Sequence, residues 1–151
     1  MKQISILLPY KENFSPLYAG AVSLYVKDTT LKSIYKKQIR VFGNTHYKNI
    51  FKLSYTNLNV KKNLLSSGTK HYVDEFLKYQ QIYKSDIIEI HNRPIYLKYI
   101  QKKSSAKIVL YFHNDPLTMS GSKTLEDRYF LLDYASKIIF NSHWSRRRFL
   151  E

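Results

Sequence analysis

The segment Lys107-Ile-Val-Leu-Tyr-Phe-His-Asn-Asp-Pro116 decides the fold of this chain. Its five consecutive apolar residues, Ile108 to Phe112, suit a strand that is covered on both faces, as in a parallel sheet. The polar residues that follow, beginning at His113, read as a turn at the point where the strand leaves the core. The segment therefore predicts a buried parallel strand that ends at a polar rim.

The rest of the 151-residue chain repeats this alternation. Further strands are predicted at 4–8, 38–43, 50–55, 86–91 and 136–140, with a polar loop at 57–67. Helices are predicted at 19–34, 69–84, 94–103 and 122–134, and a last one begins at Ser142. Strands that alternate with helices indicate right-handed crossovers and a parallel sheet. We expect an α/β, Rossmann-like domain over residues 1–151, with helices on both faces of the sheet.

Two helix starts carry residues that are typical of that position. Ser122 is expected to cap a helix N-terminus, because a serine side chain accepts a hydrogen bond from the first helical turn, and the last helix is expected to start at Ser142. The helix after Ser142 stops at Glu151 without a C-capping glycine. We interpret this abrupt end as truncation.

Ligands of open parallel sheets bind beyond the carboxyl ends of the strands, so the residues there are the candidate site. Four segments follow predicted strands: Pro9–Glu12, His91–Pro94, His113–Pro116 and Asn141–Trp144. A histidine at such a rim can donate, accept or carry a proton near neutral pH. The alternative for His113 is a turn histidine whose ring is satisfied by backbone.

Two further rim positions suit anionic groups. Arg93 lies beside a predicted helix start, which favours phosphate or carboxylate, although a surface arginine next to a capping asparagine is equally ordinary. Gly20, near the start of the first helix, would let a phosphate or a sugar approach the backbone. No G-x-G-x-x-G and no P-loop pattern is present, and no compact metal-ligand spacing is found. These absences exclude the ordinary dinucleotide fingerprint.

The composition points to an anionic partner. Lys and Arg total 25 against 11 Asp and Glu, a formal charge of +14. Between Thr29 and Val73 there is no acidic residue, whereas the basic ones are Lys32, Lys36, Lys37, Arg40, Lys48, Lys52, Lys61, Lys62 and Lys70. Such an excess favours nucleic acid, membrane head groups or an acidic substrate, but it also fits the Lys, Ile, Asn and Tyr bias of an AT-rich genome. The chain lacks cysteine, which excludes disulfides and thiolate metal sites.

Three segments together resemble a known family. Asp86-Ile-Ile-Glu-Ile-His-Asn-Arg-Pro94, the segment 107–116 and Ser136-Lys-Ile-Ile-Phe-Asn-Ser-His-Trp144 look like the first domain of glycosyltransferase family 4, of the GT-B class. Leu17-Tyr-Ala-Gly-Ala-Val22 resembles the family's glycine-bearing start of the first helix. The resemblance covers essentially the whole chain in order.

The resemblance implies one half of a GT-B enzyme, without the second domain that binds the nucleotide sugar. It implies retaining transfer of a sugar from a UDP- or GDP-linked donor to a glycan or lipid-linked acceptor, in cell-surface polysaccharide or lipopolysaccharide synthesis. No metal and no permanently bound cofactor are expected. Because half of the cleft is missing, the chain alone is expected to be inactive.

The resemblance also implies roles for individual residues. His113 is the catalytic position and reaches the donor sugar, and the donor diphosphate faces Ala19, Gly20 and Ala21. The acceptor side is implied to comprise His91, Asn92, Arg93, Asn114, Asp115, Asn141 and Ser142.

The same family suggests a place in the cell. We expect a cytoplasmic protein, peripheral on the inner face of the membrane, with the basic stretch from Lys32 to Lys70 on anionic lipid. Nucleic acid is not expected as a partner. The alternative readings are a basic nucleic-acid-binding module and a self-contained nucleotide-binding regulatory domain.

Overall fold

A computed structural model describes residues 2–60 and 68–151 of the chain. Its strands are β1 (Ile4–Leu7), β2 (Ile39–Gly43), β3 (Tyr55–Asn57), β4 (Ile87–His91), β5 (Lys107–Phe112) and β6 (Lys137–Phe140). Its helices are α1 (Ala21–Lys32), α2 (Gly68–Tyr83), α3 (Ile95–Ile100), α4 (Leu125–Tyr134) and α5 (His143–Leu150). Two 3₁₀ turns, Lys36–Gln38 and Pro116–Thr118, lie between them.

All six strands form one parallel sheet in the order β3-β2-β1-β4-β5-β6. The direction in which strands are added reverses at β1. The chain places β2 and β3 on one side of β1 and then β4, β5 and β6 on the other side. The carboxyl ends of all the strands therefore lie at one edge, which confirms the predicted α/β Rossmann-like fold. In such sheets a crevice opens at the point of reversal, between the strands that diverge from it.

Helices pack on both faces of the sheet, as predicted. The larger apolar cluster joins β4 and β5 to α2, α3, α4 and α5 through residues such as Phe76, Leu97, Leu131 and Phe149. The smaller cluster joins β1 and β2 to α1, mainly through Val22 and Val26. The two clusters lie on opposite faces, because consecutive residues of a strand point to opposite sides.

The pleat of β4 separates apolar from polar residues. Ile88 and Ile90 are fully buried in the larger cluster. Glu89 is in register with Ile6, a member of the smaller cluster, so Glu89 and His91 lie on the α1 face. Since His91 is in register with Tyr111, the row of polar side chains on the α1 face continues onto β5.

The third strand differs from the sequence expectation. A strand was predicted at 50–55, but β3 begins only at Tyr55 and ends at Asn57. Phe51 and Leu53 instead belong to a loop and pack against the smaller cluster. Apolar residues that cover a core from a loop cannot be told from a short strand by composition alone. Of the predicted loop 57–67, residues 61–67 lie outside the described part.

The start of α4 is a second correction. Thr124, and not Ser122, is the N-cap: its Oγ1 accepts from the Asp127 N–H at 3.1 Å, and Asp127 accepts from the Thr124 N–H at 3.4 Å. This reciprocal pair is a capping box. Ser122 is buried and donates to the carbonyl of Pro116 at 2.5 Å. Its hydroxyl thus closes a turn rather than a helix.

The last helix begins as predicted. Ser142 caps α5, its Oγ accepting from the Ser145 N–H at 3.1 Å. Phe149 is buried against Phe112 and Phe140, whereas Trp144 is half exposed. Across residues 2–60 and 68–151, no helix combines the length and apolarity needed to cross a bilayer.

Candidate functional site

The candidate site lies at the carboxyl edge of the sheet, around the residue that follows β5. The backbone of His113 is held from both neighbouring strands: its N–H donates to Asn92 Oδ1 at 2.7 Å, and its carbonyl accepts from Asn141 Nδ2 at 2.7 Å. These two asparagines follow β4 and β6 directly. The parallel register therefore converts three separate turns of the sequence into one bracket around His113.

The ring of His113 is also fixed. Its Nε2 lies 2.9 Å from Nδ1 of His91, a hydrogen-bond distance, and the two rings are nearly parallel, 18° apart. Tyr25 of α1 meets the His113 ring edge-on, with 4.8 Å between the ring centroids. The Tyr111 ring stacks on the His91 ring, with 4.5 Å between the ring centroids. His113 thus has a defined orientation without any ligand.

Burial and the neighbouring histidine make His113 a neutral group. Desolvation, and secondly the proximity of His91, lower the pKa of His113 to about 4. At neutral pH the ring therefore acts as a donor and an acceptor and not as a cation. Such a ring recognises a hydroxyl group better than it neutralises a phosphate.

The turn after β4 has an unusual backbone. Asn92 adopts a positive φ of 52°, a region that asparagine tolerates better than most residues, and its side chain is buried. This conformation lets its Oδ1 meet the His113 backbone. Arg93 is exposed and donates from Nη1 to the Asn92 carbonyl at 2.7 Å. Asn92 therefore serves the geometry of the site, whereas the Arg93 side chain is open to solvent.

These residues line a cavity of about 480 Å³ between α1 and the rim. Six residues of the predicted site take part in it: Ala21, Asn92, Arg93, His113, Asn114 and Asn141. The structure adds four that were not assigned a role: Pro9, Glu12, Val22 and Tyr25. A second cavity of about 530 Å³ adjoins it and shares Asn92, Arg93 and Asn114.

The remaining predicted residues lie behind or beside the cavity. His91 is 1% exposed and supports His113 from within the sheet. Ser142 caps α5, and Asp115 is held by the Leu117 N–H at 3.0 Å and by Arg148 at 3.2 Å. The Leu117 hydrogen bond and, secondly, Arg148 hold the pKa of the Asp115 carboxyl below its usual range. Asp115 thus connects the rim to α5.

Glu12 belongs to the predicted rim segment Pro9–Glu12, in which no residue was assigned a role, and it is the most informative of the added residues. Its carboxylate lies at the first turn of α1, where Oε1 accepts from the Ser23 N–H at 3.0 Å. A Cβ at residue 20 would overlap with this carboxylate in its present position, so a larger residue there would displace the end of the Glu12 side chain. The turn that carries Glu12 is anchored where the Tyr10 N–H donates to the buried Tyr96 hydroxyl at 2.9 Å. The position in the turn after β1 was the available signal for Glu12, and the spacing of four residues from Ala21 was the signal for Tyr25.

A larger cavity, of about 770 Å³, lies at the opposite, amino-terminal edge of the sheet. Lys2, Lys84, Lys103 and Lys107 line it, and Lys103 already pairs with Asp74 at 2.9 Å. Lysines are expected there because the helix C-termini before the strands attract cations. We place the site at the smaller cavity, since the fixed histidine and the helix N-terminus converge only there within the described residues. Those residues contain no group of three or more His, Asp or Glu arranged for a metal ion.

The order of the strands and their parallel pairing define an α/β, Rossmann-like domain. The structure of sucrose-phosphate synthase from Thermosynechococcus elongatus is similar to this chain, with a TM-score of 0.62 and 12% sequence identity. The similarity covers 97% of this chain and 44% of that protein, so the chain spans under half of its structural neighbour. At this identity the likeness shows the fold alone.

Comparisons of sequence give no family. No protein-family model matches the chain, and no curated protein sequence matches it either.

Proposed function

We propose that this chain is the acceptor-side half of a retaining glycosyltransferase that takes a sugar from a UDP- or GDP-linked donor. The bracketed, neutral His113 carries the proposal: it lies at the carboxyl edge, in a cavity that also reaches the N-terminus of α1. A neutral imidazole suits a sugar hydroxyl, and a helix N-terminus suits a diphosphate. The fold of a GT-B half supports the same assignment.

In this proposal each group has a separate task. His113 binds a hydroxyl of the donor sugar, and the first turn of α1, beside Gly20, faces the leaving diphosphate. The adjoining cavity of about 530 Å³, with Arg93 and Asn114 at its boundary, takes the acceptor, a glycan or a lipid-linked sugar. The chain supplies alignment of the two substrates, and a second domain supplies most of the nucleotide contacts.

Glu12 sets a condition on donor binding. Its carboxylate already satisfies the Ser23 N–H at the first turn of α1. A diphosphate at the same turn would meet a like charge, so the carboxylate must move aside when the donor binds. Glu12 thus holds the place of an anion in the free chain.

The proposal is tested by titrating the ¹⁵N-labelled chain with UDP-glucose and with GDP-mannose in separate NMR experiments. We expect amide shifts at Ala21, His113 and Asn114 with one of the two nucleotides, in the millimolar range that half of a cleft can provide. The variant His113→Ala should lose these shifts, and Lys107→Ala, at the other edge, should keep them. Shifts confined to the surroundings of Lys107, or none with either donor, would contradict the assignment.

The isolated chain should show no catalytic turnover of a nucleotide sugar. One domain cannot stabilise the leaving charge and align both substrates, so we expect no sugar transfer from either donor to water or to a glycan acceptor. Release of free UDP or GDP by the purified chain above the level of its His113→Ala variant would refute this expectation.

Anionic lipid is the proposed partner of the basic residues. Three lysines, Lys32, Lys36 and Lys37, are exposed just before β2. Lys70 lies in the first turn of α2, at the other edge of the sheet, and Lys61 and Lys62 lie outside the described residues. A docking surface would therefore use the Lys32–Lys37 end, with about 1 kcal/mol from each lysine near the lipid. Co-sedimentation with vesicles that contain 30% phosphatidylserine, roughly the charge density of an anionic leaflet, should fall with salt. Equal binding to neutral vesicles would speak against this surface.

A further inference from the structure

Glu89, His91 and His113 form a line from the α1 face of the sheet to the cavity. Nδ1 of His91 lies 2.9 Å from Nε2 of His113, and Nε2 of His91 lies 3.7 Å from Oε2 of Glu89. The first distance is a hydrogen bond and the second is too long for one. Nε2 of His91 is buried and makes no hydrogen bond within the described residues.

The hydrogen bond between the two rings can be made in two ways. Either His91 donates and His113 accepts, or His113 donates and His91 accepts. In the first case His113 would carry its proton on Nδ1, and in the second on Nε2. The two arrangements give His113 opposite properties toward a ligand, so the choice between them decides what the site can recognise.

The charge of Glu89 breaks this symmetry. Its carboxylate faces Nε2 of His91 across 3.7 Å, and because the ring is 1% and the Glu89 side chain 23% exposed, water screens the interaction only in part. A lone pair on Nε2 would point toward a negative charge, whereas an N–H there is attracted to it. His91 is therefore favoured as the Nε2–H tautomer, which leaves its Nδ1 as the acceptor for His113.

We propose that Glu89, acting through His91, holds His113 as the Nε2–H tautomer, so that Nδ1 of His113 presents a hydrogen-bond acceptor to the cavity. Nδ1 makes no hydrogen bond to the described residues, and His113 lines the cavity of about 480 Å³. The group that this nitrogen selects is a donor, such as a hydroxyl, and a phosphate oxygen is disfavoured. Glu89 and His91 are positioning residues, because they act on the ligand only through His113.

This inference rests on the proposed function for the nature of the ligand, a sugar hydroxyl, but not for the tautomer itself. Tautomers are read directly from the ring ¹⁵N resonances of the histidines in the free chain near pH 7. We expect the Nε2–H form of both His91 and His113 to dominate by at least about tenfold, which roughly one pKa unit of electrostatic preference gives. A dominant Nδ1–H form of His113 would overturn the proposal.

The role of Glu89 is tested by the variant Glu89→Gln, which keeps the size of the side chain and removes its charge. The tautomer ratio of His113 should move toward equality or reverse, by a factor of about ten at the stated preference. Glu126→Gln removes an exposed carboxylate from the first turn of α4 and should leave the ratio unchanged. If Glu89→Gln does not fold, Glu89→Met serves as the second uncharged variant.

An unchanged ratio in the folded Glu89 variants would remove Glu89 from the proposal. Because no nucleotide sugar is present in these spectra, their failure is separate from a failure of the transferase assignment. A correct tautomer with no donor binding would leave the positioning role intact and refute the proposed substrate.

Discussion

The two faces of the sheet use the same strands for different purposes. On the side of α2, α3 and α4, β4 and β5 contribute Ile88, Ile90 and Leu110, all of them buried. On the side of α1, the same strands carry Glu89, His91 and Tyr111. The difference teaches that a strand with an almost unbroken apolar sequence need not be functionally silent, because every second residue can belong to a site.

The face of the sheet that packs against α2, α3 and α4, called the closed face below, should contribute most of the stability. Leu110→Ala removes a fully buried side chain from the larger cluster, and we expect the free energy of unfolding to fall by about 2–5 kcal/mol. Its neighbour Val109 is partly exposed on the opposite face, so Val109→Ala should cost at most about 1.5 kcal/mol. Denaturant unfolding of both variants measures the contrast. Equal losses would remove the distinction between the two faces.

The α1 side of the sheet, called the open face below, carries His113 at its rim and should make the stability depend on pH. The pKa of His113 is lowered to about 4 by burial and then by His91, whereas the unfolded chain binds this proton near an ordinary value of about 6.5. The stability that the neutral ring provides is present above pH ~6.5 and declines as the pH falls toward 4. His113→Asn should flatten the unfolding free energy over this interval, and Leu110→Ala should shift the whole curve without changing its slope. An identical slope in His113→Asn would contradict the assignment.

A smaller effect, on the affinity for UDP, is expected from Glu12 at the N-terminus of α1. Glu12→Gln removes the charge that now lies at the α1 N-terminus, so binding of UDP should tighten by about two- to fivefold. Asp28→Asn, further along the same helix, is the matched control and should leave the affinity unchanged. The dissociation constants are obtained from amide shifts on titration with UDP. Weaker binding in Glu12→Gln would show that Glu12 assists the anion and does not oppose it.

The weakest effect is expected where the closed face reaches the rim. Asp115 joins the turn after β5 to Arg148 of α5 and to the Leu117 N–H, and these partners keep its pKa below the usual range. This stability is present above the ordinary carboxyl pKa near ~3.9 and is lost as the pH falls through the lower folded value. Asp115→Asn should slightly lower the melting temperature at pH 7, and the difference from wild type should shrink in acid. A difference that grows in acid would be inconsistent with an ionised Asp115.

Much of the fold followed from local pattern. The apolar runs that became β1, β4, β5 and β6 were placed to within one or two residues, and the start of the last helix was predicted at Ser142. The errors arose where one local signal had two physical uses. Phe51 and Leu53 are apolar because a loop covers the core, and Ser122 is buried in a turn two residues before the true cap, Thr124.

The sequence predicted the edge of the sheet at which the site lies, but not the contacts between its side chains. The polar turns after β4, β5 and β6 could be assigned to one edge, because parallel strands end together, and the asparagines there do lie around His113. The contact of Glu12 with α1 could not be foreseen, since its carboxylate reaches the N–H of Ser23, eleven positions further along the chain. Nothing local in the sequence sets the path of such a loop.

The order of apolar and polar residues by itself determined the class of fold and the edge at which its chemistry lies, because burial and backbone pairing depend on short-range periodicity. Only the tertiary structure decided which side chains touch. It stacked His91 under His113, set Glu89 behind both and placed Glu12 at the start of α1. Those contacts fix the charge and the tautomer of the central histidine, since both depend on distances of a few ångströms between residues that are far apart in the chain.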